Sequence, residues 1–360
     1  MTKARTNASA TPAVGRNIIQ NGAMNVAQRS ASVTGIGASA GYFTCDRWKI
    51  ETASSAGRLT MTQTADGPNG ISANCLKLDC TTADTSIAAL EYLILSQYLE
   101  GQNLQRIGKG VVGAKQVTIS FYVKANAAFD FVAEIRDFDN GRTISKLFAT
   151  TTDWVRHEIL IPADVDDGSS PFDDDNASSA VLNFWLHAGS NYTSGTLATE
   201  WANLSNTTRA AGIDSFFSST DNNFFITGVQ MEVGPVATEF EQEDIGTTLA
   251  KCQRYYQKWL SDTVSDSVMT AAAISDVAFI GDYFLKTSMR SVPTMGTSGT
   301  YKARLKTNDR AITGQPSINR ATTENVQIFA TIATDNNESG FAGFLKTDDD
   351  DAFLEFIAEL

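Results

Sequence analysis

The sequence predicts an all-β protein: a jelly-roll β-sandwich, then a short aromatic helix, then a second, smaller β-rich domain. Three observations carry that expectation. Short segments alternating apolar and polar residues, such as RLTMTQT (58–64), CLKLDCT (75–81) and QVTISFYVK (116–124), recur from Asn17 to about Phe240 between Gly, Asn, Asp and Ser clusters. One segment, Ile245 to Leu260, instead places Leu249, Cys252, Tyr256 and Trp259 at helical steps of three and four. The length of 360 residues suits two domains at roughly 150 residues each.

Residues 1–16 are small, polar and slightly basic through Lys3, Arg5 and Arg16. Such an arm either orders on a partner or stays untethered. The sandwich is expected over 17–244. Its strands are Phe43–Glu51, Arg58–Thr64, Cys75–Thr81, Gln116–Lys124, Phe129–Phe138, Trp154–Pro162, Ala180–His187 and Phe224–Val233. In the 116–124 strand Val117, Ile119, Phe121 and Val123 share one face, and Phe131, Ala133 and Ile135 repeat the device. In the last strand Gly228 and Gly234 bracket Val229, Met231 and Val233, with Phe225 expected on their face. Trp48, in an expected strand Cys45–Trp48, reads as a core anchor, and His157 as a core residue in the apolar phase. Ala89–Arg106 should run extended into one or two helical turns before Gly108.

The linker helix is expected over 245–262, capped by Thr247 or Thr248. Cys252, Tyr255, Tyr256 and Trp259 would make it aromatic almost all round. Such a helix needs more cover than one domain surface offers, supplied either around a symmetry axis or between two domains of one chain. Residues 263–360 form the C-terminal β-rich domain, with strands at Val277–Thr287, Tyr301–Thr307, Asn325–Thr334 and Gly340–Lys346.

Composition excludes several functions. Lys+Arg number 28 against Asp+Glu 41, a net charge of −13, which disfavours nucleic acid and anionic membrane surfaces. The same balance makes acidic glycans poor receptors unless cations bridge them. Only two histidines, His157 and His187, argue against a His-rich metal site or a Ser-His-Asp triad, and no cofactor is expected. Cys45, Cys75, Cys80 and Cys252 fit no disulfide framework or zinc spacing and read as free buried thiols of a reducing cytoplasm. There is no secretory leader pattern and no apolar run near the ~20 residues that span a bilayer.

Two stretches hold candidate sites. The acidic loop 164–176 offers Asp164, Asp166 and Asp167, with Asp173, Asp174 and Asp175, as weak calcium ligands, though no glutamate closes an EF-hand register. The long polar stretch 189–223 carries Tyr192 and Trp201, and the 180–187 strand carries Trp185 in phase with Asn183 and His187. Exposed aromatics with polar neighbours are what a saccharide platform needs, so these three rings are the glycan-binding candidates. The alternative is that they pin the loop to the sandwich. With 41 acidic residues, carboxylate pairs arise by chance, and no spacing marks a catalytic pair. Binding without catalysis is therefore expected.

Several segments, in order, resemble a family of phage virion proteins, of tail-fibre or tail-tip type, with a carbohydrate-binding-module-like jelly roll. They are NIIQNGAMNVAQR (17–29), TISFYVKA (118–125), NFWLHAGSNYT (183–193), FITGVQMEVG (225–234), ATEFE (237–241) and CQRYY (252–256), with a looser match at MRSVPT (289–294). Met231 stands where Leu is commoner, and Glu239 where Pro is. The resemblance covers roughly 17–260. It implies a non-enzymatic virion protein assembled in the bacterial cytoplasm, a homotrimer with Cys252, Tyr255, Tyr256 and Trp259 at its interface. Lys3, Arg5 and Arg16 would dock it on tail proteins, or on capsid proteins, and the far end would meet a host cell-surface glycan. A polysaccharide depolymerase is the remaining reading.

Overall fold

Alternating side chains along thirteen strands give the first part of the chain two antiparallel sheets that share one core. The computed structural model describes residues 15–165, 170–333 and 339–360. Lys3, Arg5, Asp166 and Asp167 lie outside the described residues. The chain divides into two compact units, one reaching Thr248 and including Leu360, the other running from Leu249 to Glu359.

In the first unit, a six-stranded sheet has the order β1 (Ser32–Ile36), β4 (Arg58–Thr64), β5 (Cys75–Thr82), β13 (Asn223–Val233), β7 (Val117–Ala125) and β10 (Val155–Ile161). The seven-stranded sheet runs β12 (Ala202–Asn203), β9 (Arg142–Ala149), β8 (Asp130–Asp137), β11 (Ser178–Ala188), β6 (Tyr92–Glu100), β3 (Lys49–Ala53) and β2 (Gly41–Tyr42). Val117, Ile119, Phe121 and Val123 point inward as the alternation requires, against Phe131, Ala133, Ile135 and Phe184 of the facing sheet. Edge-to-face rings knit the layers, Phe121 with Phe184 at 5.0 Å and Phe131 with Phe224 at 5.7 Å. This layering makes the first unit a jelly-roll β-sandwich.

Local sequence explains where strands fail. The expected Phe43–Glu51 strand is β2 and β3 joined by a turn through 43–48, where Arg47 takes a φ of 72°. Trp48 is a core anchor as expected, yet it sits in that turn, its indole N–H donating to the Asn21 carbonyl at 3.2 Å. β13 runs through Gly228, whose φ of 60° makes a bulge between Thr227 and Gln230. The bulge shifts the alternation by one, so Phe224 and Ile226, not Phe225, share the core with Val229 and Met231. β6 passes into α1 (Gly101–Leu104) and a 3-10 turn, closed by left-handed Gly108, as the sequence predicts.

Arg16 was expected in a docking arm, and the structure places it in the sandwich. Its Nη2 donates to the Glu239 carbonyl at 2.5 Å and its Nε lies 3.6 Å from Glu232. Glu241 accepts from the Gly15 and Asn17 backbone at 2.6 and 2.9 Å.

The linker helix is shorter than expected. α3 (Ile245–Gln253), after α2 (Ser190–Thr193), is capped by the Asp244 carboxylate rather than by Thr247 or Thr248, accepting from Gly246 N–H at 2.9 Å. Tyr256–Leu260 is a strand, β14, because YQKWL satisfies a two-residue alternation as well as a helical one and pairs along its length with β22 (Phe353–Ile357). Cys252, Tyr255 and Tyr256 are buried within the single chain, and the Tyr256 hydroxyl donates to Glu355 at 2.7 Å. Trp259 packs on the second unit's core. The all-round aromatic helix, which needed cover from a symmetry axis or from two domains of one chain, therefore does not form.

In the second unit β14, β22 and β17 (Thr294–Ser298) make a small sheet. β15 (Ser267–Ala273), β16 (Ala278–Phe284), β20 (Asn325–Ile332), β19 (Asn308–Ala321), β18 (Tyr301–Leu305) and β21 (Ala342–Thr347) close into a barrel. Val326, Ile328, Ala330 and Ile332 line its interior, with Phe279, Leu305 and Leu345. β15, β17, β19 and β22 were not foreseen. β19 is polar along most of its length, so barrel pairing rather than its own pattern holds it extended. Among the described residues no helix is long and apolar enough to cross a membrane.

Candidate functional site

The site is built on the outer face of the seven-stranded sheet. A sheet with one face on the core should present polar, exposed residues on the other. Here Ile94, Val132 and Trp185 point outward and are nonetheless buried, because the 189–215 segment folds back over them. α2 puts Tyr192 against Trp185 and Tyr92, with ring centroids at 5.2 and 5.5 Å, and Ala210 completes this second, smaller core.

Glu134 fastens the segment to the sheet. Its fully buried carboxylate accepts from Arg209 Nε and Nη2 at 2.7 and 2.9 Å. It also accepts from Asn183 Nδ2, Trp185 Nε1 and Thr143 Oγ1, each at 2.8 Å. Burial pushes its pKa up, but the Arg209 charge and these donors outweigh burial and hold the carboxyl below its ordinary range. Ser96 donates to the Asn183 carbonyl oxygen at 2.7 Å and completes the network.

Beside this clamp lies a groove of about 420 Å³, within the size range of small-molecule and saccharide pockets. Tyr92, Tyr98, Phe138 and Tyr192 supply its rings, while Glu51, Arg136, Asn183 and Asn206 supply polar groups. Tyr98 and Phe138 stack at 5.8 Å with planes 3° apart, and the Arg136 guanidinium lies 4.8 Å from the Phe138 centroid. The Tyr98 hydroxyl donates to Glu51 Oε1 at 2.8 Å, an oxygen that Lys49 Nζ also approaches at 2.8 Å. Burial and the Glu51 charge push the Tyr98 phenol well up, so it stays a donor at neutral pH. Burial, and then the like charge of Arg209, press the Arg136 pKa downward.

Of the three glycan candidates, the structure brings two to this groove. Tyr192 forms part of its wall at 9% exposure. Trp185 was expected to be exposed and is fully buried, its indole N–H held by Glu134 and its ring capped by the Arg209 guanidinium at 4.7 Å. Trp201 lies elsewhere, packed on the main core with its indole N–H on the Pro162 carbonyl at 2.9 Å, so it pins the loop. Tyr92, Tyr98, Arg136, Phe138, Glu51 and Asn206 were missed. The signal was present for two of them: Tyr92 and Tyr98 are six apart on one strand and must share its outward face.

The calcium candidate Asp164 is already engaged. Arg142 clasps it through Nε and Nη2 at 2.8 and 3.0 Å, and buried Lys109 lies 3.2 Å away while pairing with Asp137 at 2.7 Å. Two cations thus already neutralise and engage this carboxylate. His157 is half-buried, hydrogen-bonded to the Ala149 carbonyl at 2.8 Å against Phe121 and Phe148. His187 is fully buried, 2.8 Å from Ser215 Oγ and 3.5 Å from Glu91, and burial lowers its pKa. All four cysteines are buried thiols outside any disulfide, and burial pushes Cys75 and Cys80 up to about 11.

No family model matches the sequence, and no curated protein matches it. Among solved structures the chain is similar to the enzymatically active domain of tailspike protein 4 from bacteriophage CBA120, at 12% identity and a TM-score of 0.32 over 61% of this chain. The chain spans 22% of the length of that tailspike domain. It is also similar to a family 4 carbohydrate-binding module (11% identity, TM-score 0.30, 60% of this chain and 99% of the module). A third likeness is to the xylan-binding CBM22-1 domain of Paenibacillus barcinonensis Xyn10C (13% identity, TM-score 0.29, 63% and 100%).

Proposed function

We propose that this chain is a non-enzymatic virion protein that contacts a host cell-surface glycan through the groove on the seven-stranded sheet. The observation that carries the glycan reading is the groove itself: about 420 Å³, walled by Tyr92, Tyr98, Phe138 and Tyr192, with Asn183, Asn206, Arg136 and Glu51 also lining it. Saccharides present alternating apolar C–H faces and hydroxyl edges, and a cleft of rings with a few placed polar groups matches both. The absence of catalysis is supported by the state of the carboxylates. Glu134 is saturated by donors and kept ionised, which suits a structural clamp and not a general acid. Glu51 is shared between Tyr98 and Lys49.

The virion assignment rests on the sequence resemblance over 17–260. On this reading the chain is a homotrimeric fibre, docked through the 1–14 segment with Lys3 and Arg5 on tail proteins or, as the runner-up, capsid proteins. Many weak sites would then act together by avidity. A glycan array probed with the full chain tests the binding, with retention of one saccharide class expected; no retention of any glycan overturns it. Reducing ends released from a retained polysaccharide would overturn the non-enzymatic reading.

A further inference from the structure

Arg136 on β8 lines the groove and, among the described residues, makes no hydrogen bond or ion pair, and its Nε–H is buried without an acceptor. Its neighbours are all matched. Arg209 is spent on Glu134 at 2.7 Å, and Lys49 on Glu51 at 2.8 Å. Among the described cations lining the groove, Arg136 alone makes no direct ion pair; the Glu134 charge, committed to Arg209, supports it only without a bond. The Phe138 ring, whose centroid lies 4.8 Å from the Arg136 Cζ, offers no hydrogen-bond acceptor in its plane, so this contact leaves the Nε–H unsatisfied. Burial and the nearby Arg209 both act against its charge, a penalty that an anion in the groove would relieve.

We infer that the groove selects saccharides bearing a carboxylate, with Arg136 holding the acid group and the aromatic walls holding the sugar ring; this rests on the glycan-binding reading above. A planar carboxylate matches the guanidinium fork with two parallel hydrogen bonds, which a neutral hydroxymethyl group at the same position cannot form. The chain's net charge of −13 argues the other way only at long range. Charges beyond a Debye length of roughly 8–10 Å are screened, whereas a partly buried contact is not. The local imbalance therefore decides, and the expectation that acidic glycans are poor receptors is reversed for this groove.

The test is calorimetric titration of the full chain with hexamers of galacturonate and of glucuronate and with their carboxyl-reduced, neutral counterparts. Wild type should bind at least one acidic hexamer about 10- to 100-fold more tightly than its reduced form, the range of a charge-assisted hydrogen-bond pair. Arg136→Gln should lose that factor for the acid and change little for the neutral form, and Arg136→Lys should recover only part. Equal affinity for acid and neutral forms in wild type, or an equal loss for both in Arg136→Gln, overturns the role of Arg136 while leaving the groove as a glycan site. Binding of neutral saccharides alone does the same. If no saccharide binds in any form, the glycan reading falls and this inference with it. The wild-type comparison decides even if the variant fails to fold.

Discussion

Replacing Glu134 by alanine is the sharpest perturbation the sandwich offers. The substitution strands the Arg209 guanidinium, the Trp185 indole N–H, the Asn183 amide and the Thr143 hydroxyl, all in buried positions around a carboxylate that is fully enclosed. Charge-assisted hydrogen bonds contribute roughly 1.5–3 kcal/mol each, but local relaxation and entering water recover much of a five-bond loss. Breaking a buried pair by removing one partner costs about 3–5 kcal/mol in practice. For a unit of this size that is a fall in Tm of roughly 6–20 °C, at about 2–4 °C per kcal/mol. Urea and thermal unfolding followed by tryptophan fluorescence would measure it, since Trp185 sits on the clamp. Glu134→Met with Arg209→Met should recover most of the loss, because an apolar pair leaves no charge unpaired. A cost for Glu134→Ala below about 1 kcal/mol would refute the clamp.

Three further outcomes are expected. Gly228→Ala should destabilise the sandwich by roughly 1–3 kcal/mol, since the bulge needs φ near 60° and a Cβ would come within 2.9 Å of Ile71 and Tyr122; chemical denaturation reads it. Burial lowers the His187 pKa below the unfolded value of about 6.5, so its contribution is intact above that pH and is lost as pH falls through the window below it. Wild-type Tm should thus fall as the pH drops below about 6.5, and less steeply in His187→Gln. Trp201→Phe removes the bond to the Pro162 carbonyl and should cost about 1 kcal/mol of stability while leaving glycan-array binding unchanged. Loss of binding there would restore Trp201 as a platform. Mass in solution tests the fibre: a trimer is expected, and a monomer at micromolar concentration contradicts it.

The inner faces of the sandwich were legible because a two-residue alternation is local and survives any tertiary arrangement, as in Val117 to Val123 and Phe131 to Ile135. What escaped depended on partners distant in sequence or on single backbone positions. Gly228 reversed the phase of its own strand, a consequence of one positive φ that composition does not announce. YQKWL fitted helix and strand equally, and only its ladder with Phe353–Ile357 decided between them. The groove was hidden for a similar reason. Glu134 meets Arg209 across 75 residues and Tyr98 meets Glu51 across 47, so no window of sequence contains the site. Of the candidate rings, Tyr192 lines the groove whereas Trp185 is buried and Trp201 packs on the main core, because exposure of a ring depends on what folds over it.

Asn206 is exposed and lines the groove, so a bulky residue there can fill the cleft without entering the core. Glycan-array binding of Asn206→Trp beside wild type is therefore the most direct test of the central claim. The groove account predicts that the variant keeps the wild-type Tm and loses the retained saccharides. Undiminished retention by a folded Asn206→Trp would contradict it and place glycan contact elsewhere on the chain.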